Sequence, residues 1–175
     1  VSVAEVEKNI DYLSEVNPMM GHRGCRLAVT YPELIKMQTR AVVNAILRLN
    51  EECDPQVELM IPLISDEKEL KHLVSIIKEE IADKVICKIG TMIEVPRAAL
   101  IADKLAPLVD FFSFGTNDLT QMTYGFSRDD ASKFLDKYYQ EGLFSFDPFV
   151  VLDKNGVGKL LKEAVCNGRK AIKNL

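Results

Sequence analysis

Two carboxylates, Glu94 and Asp118, are the residues best placed to do chemistry. Each follows an apolar run, and one strand–helix repeat separates them. The sharper run is 109–118, aromatic and apolar until it stops in Gly115-Thr116-Asn117-Asp118. A short apolar run of this kind predicts a buried strand. The polar tetrad then falls past the strand's C-terminal end, where parallel α/β folds bind ligands. It offers a glycine for close backbone approach, a hydroxyl, an amide and a carboxylate. If the two strands are neighbours, their ends lie about 5 Å apart. Two acids that close repel unless a proton or cation sits between them. Mg²⁺ suits the arrangement, because it takes hard oxygen ligands and is often held by one or two carboxylates. The competing reading has each acid capping the next helix or pairing with a surface lysine. For Glu94 alone that reading is preferred; for the matched pair, the shared site is.

Arg23 and Arg128 each stand in a loop. A guanidinium fork matches phosphate or carboxylate, although a single loop arginine is more often a solvated charge. Arg26 and Arg97 fit the solvated reading better still. His22, beside a glycine, reads as a hydrogen-bonding loop residue. Cys25 stays ambiguous, and Met19-Met20 reads as packing.

The elements that would position these groups follow from periodicity. Residues 3–15 read as a fairly polar helix ended by Asn17-Pro18, and 19–27 as a glycine-punctuated loop. Pro32 opens a helix running to about Asn50. A strand spans Val57 to Leu63, and Ser65 is the expected cap of the helix after it. Residues 84–95 contain a second strand, closing in Thr91-Met-Ile-Glu94. Pro96 opens a short helix, and Val109 begins the third strand. Strand, helix, strand, helix, strand argues for parallel strands with right-handed crossovers. Later, 124–130 reads as a loop, 129–141 as a helix stopped by Gly142, 144–149 as an aromatic loop and 155–170 as a last helix.

Bulk properties bound the function. With 175 residues the chain can bury a real core. Net charge is −4 with signs interspersed, so no clustered basic face points to nucleic acid. No apolar run approaches the roughly 20 residues of a membrane span, and the N-terminus has no signal-like core. The four cysteines lack CxxC pairing and read as reduced thiols, not as a disulfide framework or zinc site. The chain begins without Met, which reads as a cut from something longer.

Three stretches resemble the pyruvate, phosphate dikinase family: 17–27 (Asn17-Pro-Met-Met-Gly-His-Arg-Gly-Cys-Arg-Leu27), 90–100 (Gly90-Thr-Met-Ile-Glu-Val-Pro-Arg-Ala-Ala-Leu100) and 111–121 (Phe111-Phe-Ser-Phe-Gly-Thr-Asn-Asp-Leu-Thr-Gln121). Gly125-Phe-Ser-Arg-Asp-Asp130 and Asp147-Pro-Phe149 match too, so the resemblance spans nearly the whole chain. Phosphoenolpyruvate synthase and enzyme I of the bacterial sugar phosphotransferase system share the Gly-Thr-Asn-Asp motif. The forms at 22–26 and 125–129 look most like the dikinase.

The resemblance implies an α/β fold of the (β/α)8 TIM-barrel type that binds pyruvate or phosphoenolpyruvate. It implies a phosphohistidine domain of the same parent chain swivelling between this barrel and an ATP-binding domain. The net reaction interconverts ATP, phosphate and pyruvate with AMP, pyrophosphate and phosphoenolpyruvate. By motif position it makes Glu94 and Asp118 the Mg²⁺ ligands. Gly115, Thr116 and Asn117 would contact substrate, with Ser113 facing the mouth too. Arg23 and Arg128 would help neutralise the transferring phosphoryl group.

The family's two further substrate arginines would precede Val1, and its proton-donating cysteine would follow Leu175. Residues 1–175 are therefore expected to form a single partial barrel domain of about three to four consecutive βα units, inactive as a dikinase alone. Turnover of phosphoenolpyruvate by the purified chain would overturn that. Unpaired strand edges predict self-association. The cytosol, or an organelle in some eukaryotes, is the expected location. Enzyme I and phosphoenolpyruvate synthase are the near rivals, and a non-catalytic α/β binding module is the rival of another class.

Overall fold

The computed structural model describes residues 2–14, 17–50 and 52–175. Helix α1 (Val3–Leu13) starts at Ser2, whose side chain and that of Glu5 form a reciprocal capping box. Its apolar positions Val3, Val6, Ile10 and Leu13 are all exposed. The helix stops at Leu13, short of the expected boundary at 15, and Glu15 lies outside the described residues. A single 3₁₀ turn, Pro18–Met20, leads to α2 (Cys25–Thr30). The glycine-punctuated loop thus ends at Gly24, three residues earlier than expected. Helix α3 (Pro32–Leu49) carries proline in its first turn.

The three expected strands are present: β1 (Glu58–Ile61), β2 (Lys88–Ile93) and β3 (Phe111–Phe114). They form one parallel sheet in the order β1-β2-β3. The chain between β1 and β2 is α4 (Glu67–Ile81). Its cap is Asp66, not Ser65. The Asp66 side chain accepts from the Lys68 N–H, and Glu69 reaches back to the Asp66 N–H at 2.9 Å. Ser65 instead donates its hydroxyl and its own N–H to the same Glu69 carboxylate. Aspartate and serine cap almost equally well; the deciding feature is that the glutamate stands three residues after Asp66, the spacing a capping box needs.

Between β2 and β3 lie α5 (Pro96–Leu100) and α6 (Ala102–Leu105), one helical stretch broken at Ile101. Ala98, Ala99, Ala102 and Leu105 are fully buried, and Ile101 is partly buried against the same core. After β3 come α7 (Thr116–Tyr124), α8 (Arg128–Gln140) and α9 (Val157–Ala171). Gly142 follows α8 in the left-handed region (φ 69°) and ends it as expected. Helix α9 starts two residues late because the Asp153 carboxylate gathers the N–H groups of Asn155, Gly156 and Val157.

Strand alternation assigns the two faces of the sheet. Leu59, Ile61, Ile89, Ile93, Phe112 and Phe114 belong to or pack on the core, with Leu70, Leu73 and Ile77 of α4 and Ala164 of α9. The buried Thr91 hydroxyl, within this layer, donates to the Ile61 carbonyl at 2.9 Å. The opposite rows are Met60-Gly90-Phe111 and Met92-Ser113. On that face Met60 is 40% exposed. One face is therefore sealed by helices and the other is not. Purely parallel sheets are normally covered on both faces.

Cys25 is fully buried, and its thiol donates to the Leu63 carbonyl. Burial pushes that thiol up to about 11, with the Glu69 charge adding to the shift. Thiolate is the reactive form, so brief native alkylation should label the exposed Cys53 and Cys166 and leave Cys25 intact until the chain unfolds. Mass spectrometry of the labelled peptides checks this; rapid labelling of Cys25 in the folded chain would contradict the packing.

Candidate functional site

The register of β2 and β3 builds the site. Ile93 pairs with Phe114, so the next residues at the strand ends are Glu94 and Gly115. The Gly115 N–H still donates to the Ile93 carbonyl at 3.2 Å, which keeps the two strand ends together. Gly115 occupies the N-cap position of α7, and Thr116, Asn117 and Asp118 form the first turn of that helix. Asp118 thereby turns back toward Glu94. A Cβ on residue 115 would stand 2.7 Å from the Glu94 Cβ and Oε2 and from the Met92 sulfur. The close approach expected of this glycine is thus an approach to Glu94 itself.

Glu94 is 4% exposed and Asp118 9%. Their side chains lie within hydrogen-bonding reach of each other. Burial pushes Glu94 up to about 7, and the neighbouring Asp118 carboxylate adds to that. The Leu63 N–H, donated to Glu94 Oε1 at 2.7 Å, and the positive charge of Arg23 oppose it. Leu63 makes this bond from the left-handed region (φ 57°), an uncommon conformation for a branched residue that is tolerated where the surroundings over-determine it. Asp118 Oδ2 is 3.5 Å from Arg23 Nη2, and its Oδ1 accepts from Gln121 Nε2 at 3.1 Å.

Arg128 opens α8 and lines a cleft with Asp118. Its Nη1 donates to Asn117 Oδ1 at 3.4 Å, and its guanidinium carbon is 6.0 Å from the centre of the Phe149 ring. Asn17, Met19, Arg23, Asn117, Asp118, Gln121 and Arg128 line this cleft of about 650 Å³. Glu94 is not on its wall and meets it through Asp118. A smaller cleft of about 260 Å³, on the other side of Arg128, holds Thr116 with Asn117, Thr120 and Phe149.

The structure thus brings together Arg23, Glu94, Gly115, Asn117, Asp118 and Arg128. Thr116 is exposed in the side cleft. Ser113 lines neither cleft; it stands on the open sheet face beside Met92. Gln121 and the Leu63 N–H were missed. Gln121 is three residues beyond Asp118 on the same helix, a spacing that puts both on one face; the sequence holds no sign of Leu63's conformation. The residues set aside are accounted for locally. Arg26 donates to the Gly21 carbonyl, Arg97 pairs with Asp66 and donates to the Ser65 carbonyl, and His22 Nε2 lies 3.0 Å from the Thr30 hydroxyl. Met19 is buried, as packing requires, whereas Met20 is 54% exposed.

Two neighbouring carboxylates, with no third His, Cys, Asp or Glu grouped with them, make the acidic centre among the described residues. That donor set fits a hard divalent ion such as Mg²⁺, which keeps substrate oxygens and water for its other positions. A cation there would offset the mutual repulsion that otherwise favours a proton on Glu94. Among the described residues no helix is long and apolar enough to cross a membrane.

Parallel strands alternating with helices, with an acidic pair beyond the C-terminal ends of β2 and β3, make this an α/β protein. The family described as PEP-utilising enzyme, PEP-binding domain matches residues 3–172, and this chain belongs to it. It is 54% identical over 97% of its length to a pyruvate, phosphate dikinase of Clostridium symbiosum. It is 51% identical over 98% to the chloroplastic enzyme 1 of Oryza sativa subsp. japonica, and 51% over 99% to enzyme 2 of Zea mays. The chain spans about a fifth of the length of these relatives, 19–20% in each case.

Proposed function

We infer that this chain supplies part of the phosphoenolpyruvate/pyruvate site of a phosphotransferase of the pyruvate, phosphate dikinase type. The observation that carries this reading is the placement of buried Glu94 beside Asp118 at the strand ends, with Arg23 paired to Asp118 on the wall of the cleft. Glu94 and Asp118 would hold Mg²⁺, which when bound supplies Lewis-acid stabilisation of enolate charge. Arg23 and Arg128 would neutralise the phosphoryl oxygens as charge redistributes. Asn117 offers an amide to the substrate, Thr116 a hydroxyl only from the adjoining side cleft, and Gly115 lets Glu94 stand against the strand end.

The three strands then form an arc of a (β/α)8 barrel, and the uncovered face with Met60, Met92 and Ser113 is its inner wall. β1 and β3 each keep one open edge in this sheet, which favours self-association of the chain in solution. The donor of the phosphoryl group would be a phosphohistidine domain of the parent chain, working in the cytosol or an organelle. The overall reaction would join ATP, phosphate and pyruvate to AMP, pyrophosphate and phosphoenolpyruvate.

Calorimetry with oxalate, a mimic of the enolate, tests the reading. Oxalate should bind when Mg²⁺ is present and not in its absence, and Asp118→Asn should remove the binding. Binding that ignores both Mg²⁺ and Asp118→Asn would overturn the assignment and favour a non-catalytic binding module.

A further inference from the structure

Gln121 is 6% exposed and spends both ends of its amide on the site. Its Nε2 donates to Asp118 Oδ1 at 3.1 Å, and its Oε1 accepts the Arg128 N–H at 2.7 Å. The partners fix the orientation of the amide, because a backbone N–H can only donate and a carboxylate can only accept. The backbone carbonyl of Gln121 accepts from the Gly125 and Phe126 N–H groups, at 2.8 and 3.2 Å. Gly125 stands in the left-handed region (φ 75°) and turns the chain toward α8. One residue therefore ties the acid of the cation site to the start of the helix that carries Arg128.

We propose that Gln121 is a positioning residue that locks Asp118 and Arg128 into one unit, so that the cation-holding and phosphoryl-holding sides of the cleft are set together. This rests on the reading of Glu94 and Asp118 as a divalent-cation site. Outer partners that orient a ligating carboxylate typically govern metal affinity by about 10- to 100-fold. Gln121→Met keeps the length of the side chain and removes both hydrogen bonds; Gln121→Ala does so without added bulk.

The test measures Mn²⁺ affinity by paramagnetic resonance of the free ion, and the exchange rate of the Arg128 amide by NMR without metal. Each folded variant should bind Mn²⁺ about tenfold or more weakly. Exchange should speed up at the Arg128 amide and not throughout α7 and α8, which general loosening would produce. A folded variant that keeps Mn²⁺ affinity within about twofold, or that leaves Arg128 exchange unchanged, overturns the proposal while the cation site stands. A wild-type chain that binds no Mn²⁺ removes the cation site and the proposal with it.

Discussion

Glu94→Gln should make the metal-free chain more stable at pH 8 and deprive it of its response to Mg²⁺. In the folded chain Glu94 titrates near 7, raised from 4.5 by burial and by Asp118. Between those values the folded state binds more protons than the unfolded state, so stability falls as pH rises. The favourable contribution is complete below about pH 4.5 and gone above about pH 7, where two ionised acids face each other. A shift of that size corresponds to about 3 kcal/mol. Glutamine removes the titration and keeps the geometry: its oxygen can still accept from Leu63, and its amide can donate to Asp118. For a domain of this size the variant should melt roughly 6 to 12 °C above wild type at pH 8, with the difference shrinking toward pH 5. Mg²⁺ should raise the wild-type midpoint at pH 8 and leave the variant's unchanged. Calorimetric melts across pH 5–8 measure all of this. A wild-type midpoint that tracks the variant's at every pH would show that the pair is not strained.

How far the site could be read in the sequence follows from what fixes each part. The three strands and their parallel order follow from apolar runs separated by helix-length amphipathic segments, and tertiary packing had no reason to override so strong a period. The pairing of Glu94 with Asp118 was legible because both lie beyond the ends of neighbouring strands, Glu94 directly after β2 and Asp118 in the turn of helix that follows β3. Helix boundaries were less so. Asp66 displaced Ser65 as a cap because Glu69 completes a box with it, and α9 starts late because Asp153 binds three successive N–H groups. Ser113 was expected at the mouth only through the family resemblance, as a strand residue just before the Gly115–Asp118 motif. Parity does put it on the open face, but the lined cleft lies higher, where α7 begins. The Leu63 N–H that anchors Glu94 depends on a backbone angle that a leucine gives no sign of adopting. The contact of Gln121 with Arg128 depends on where a turn returns the chain, which the periodicity of α7 does not encode.

Gly115→Ala is the smallest change expected to disable the site. Gly115 has φ −88° and ψ 82°, and that negative φ does not by itself require glycine, so the effect is steric. The added methyl would sit 2.7 Å from the Met92 sulfur and from the Glu94 Cβ and Oε2. The Met92 thioether can swing aside. Glu94 Cβ cannot, because it is rooted in the backbone at the end of β2, so either the β2–β3 rung parts or the Glu94 side chain turns away. Turning away forfeits the 2.7 Å bond from the Leu63 N–H and the contact with Asp118. Overpacking of this kind costs about 1–3 kcal/mol, and a displaced ligand should weaken Mn²⁺ binding by about 100-fold. Met92→Ala in the same chain separates the two effects. It makes room on the sulfur side and should recover part of the stability, while metal affinity stays low because the clash with Glu94 remains. Urea melts and Mn²⁺ titrations of the single and double variants give both numbers. If Gly115→Ala binds Mn²⁺ within about twofold of wild type, Glu94 does not hold the cation from the position it occupies against Gly115.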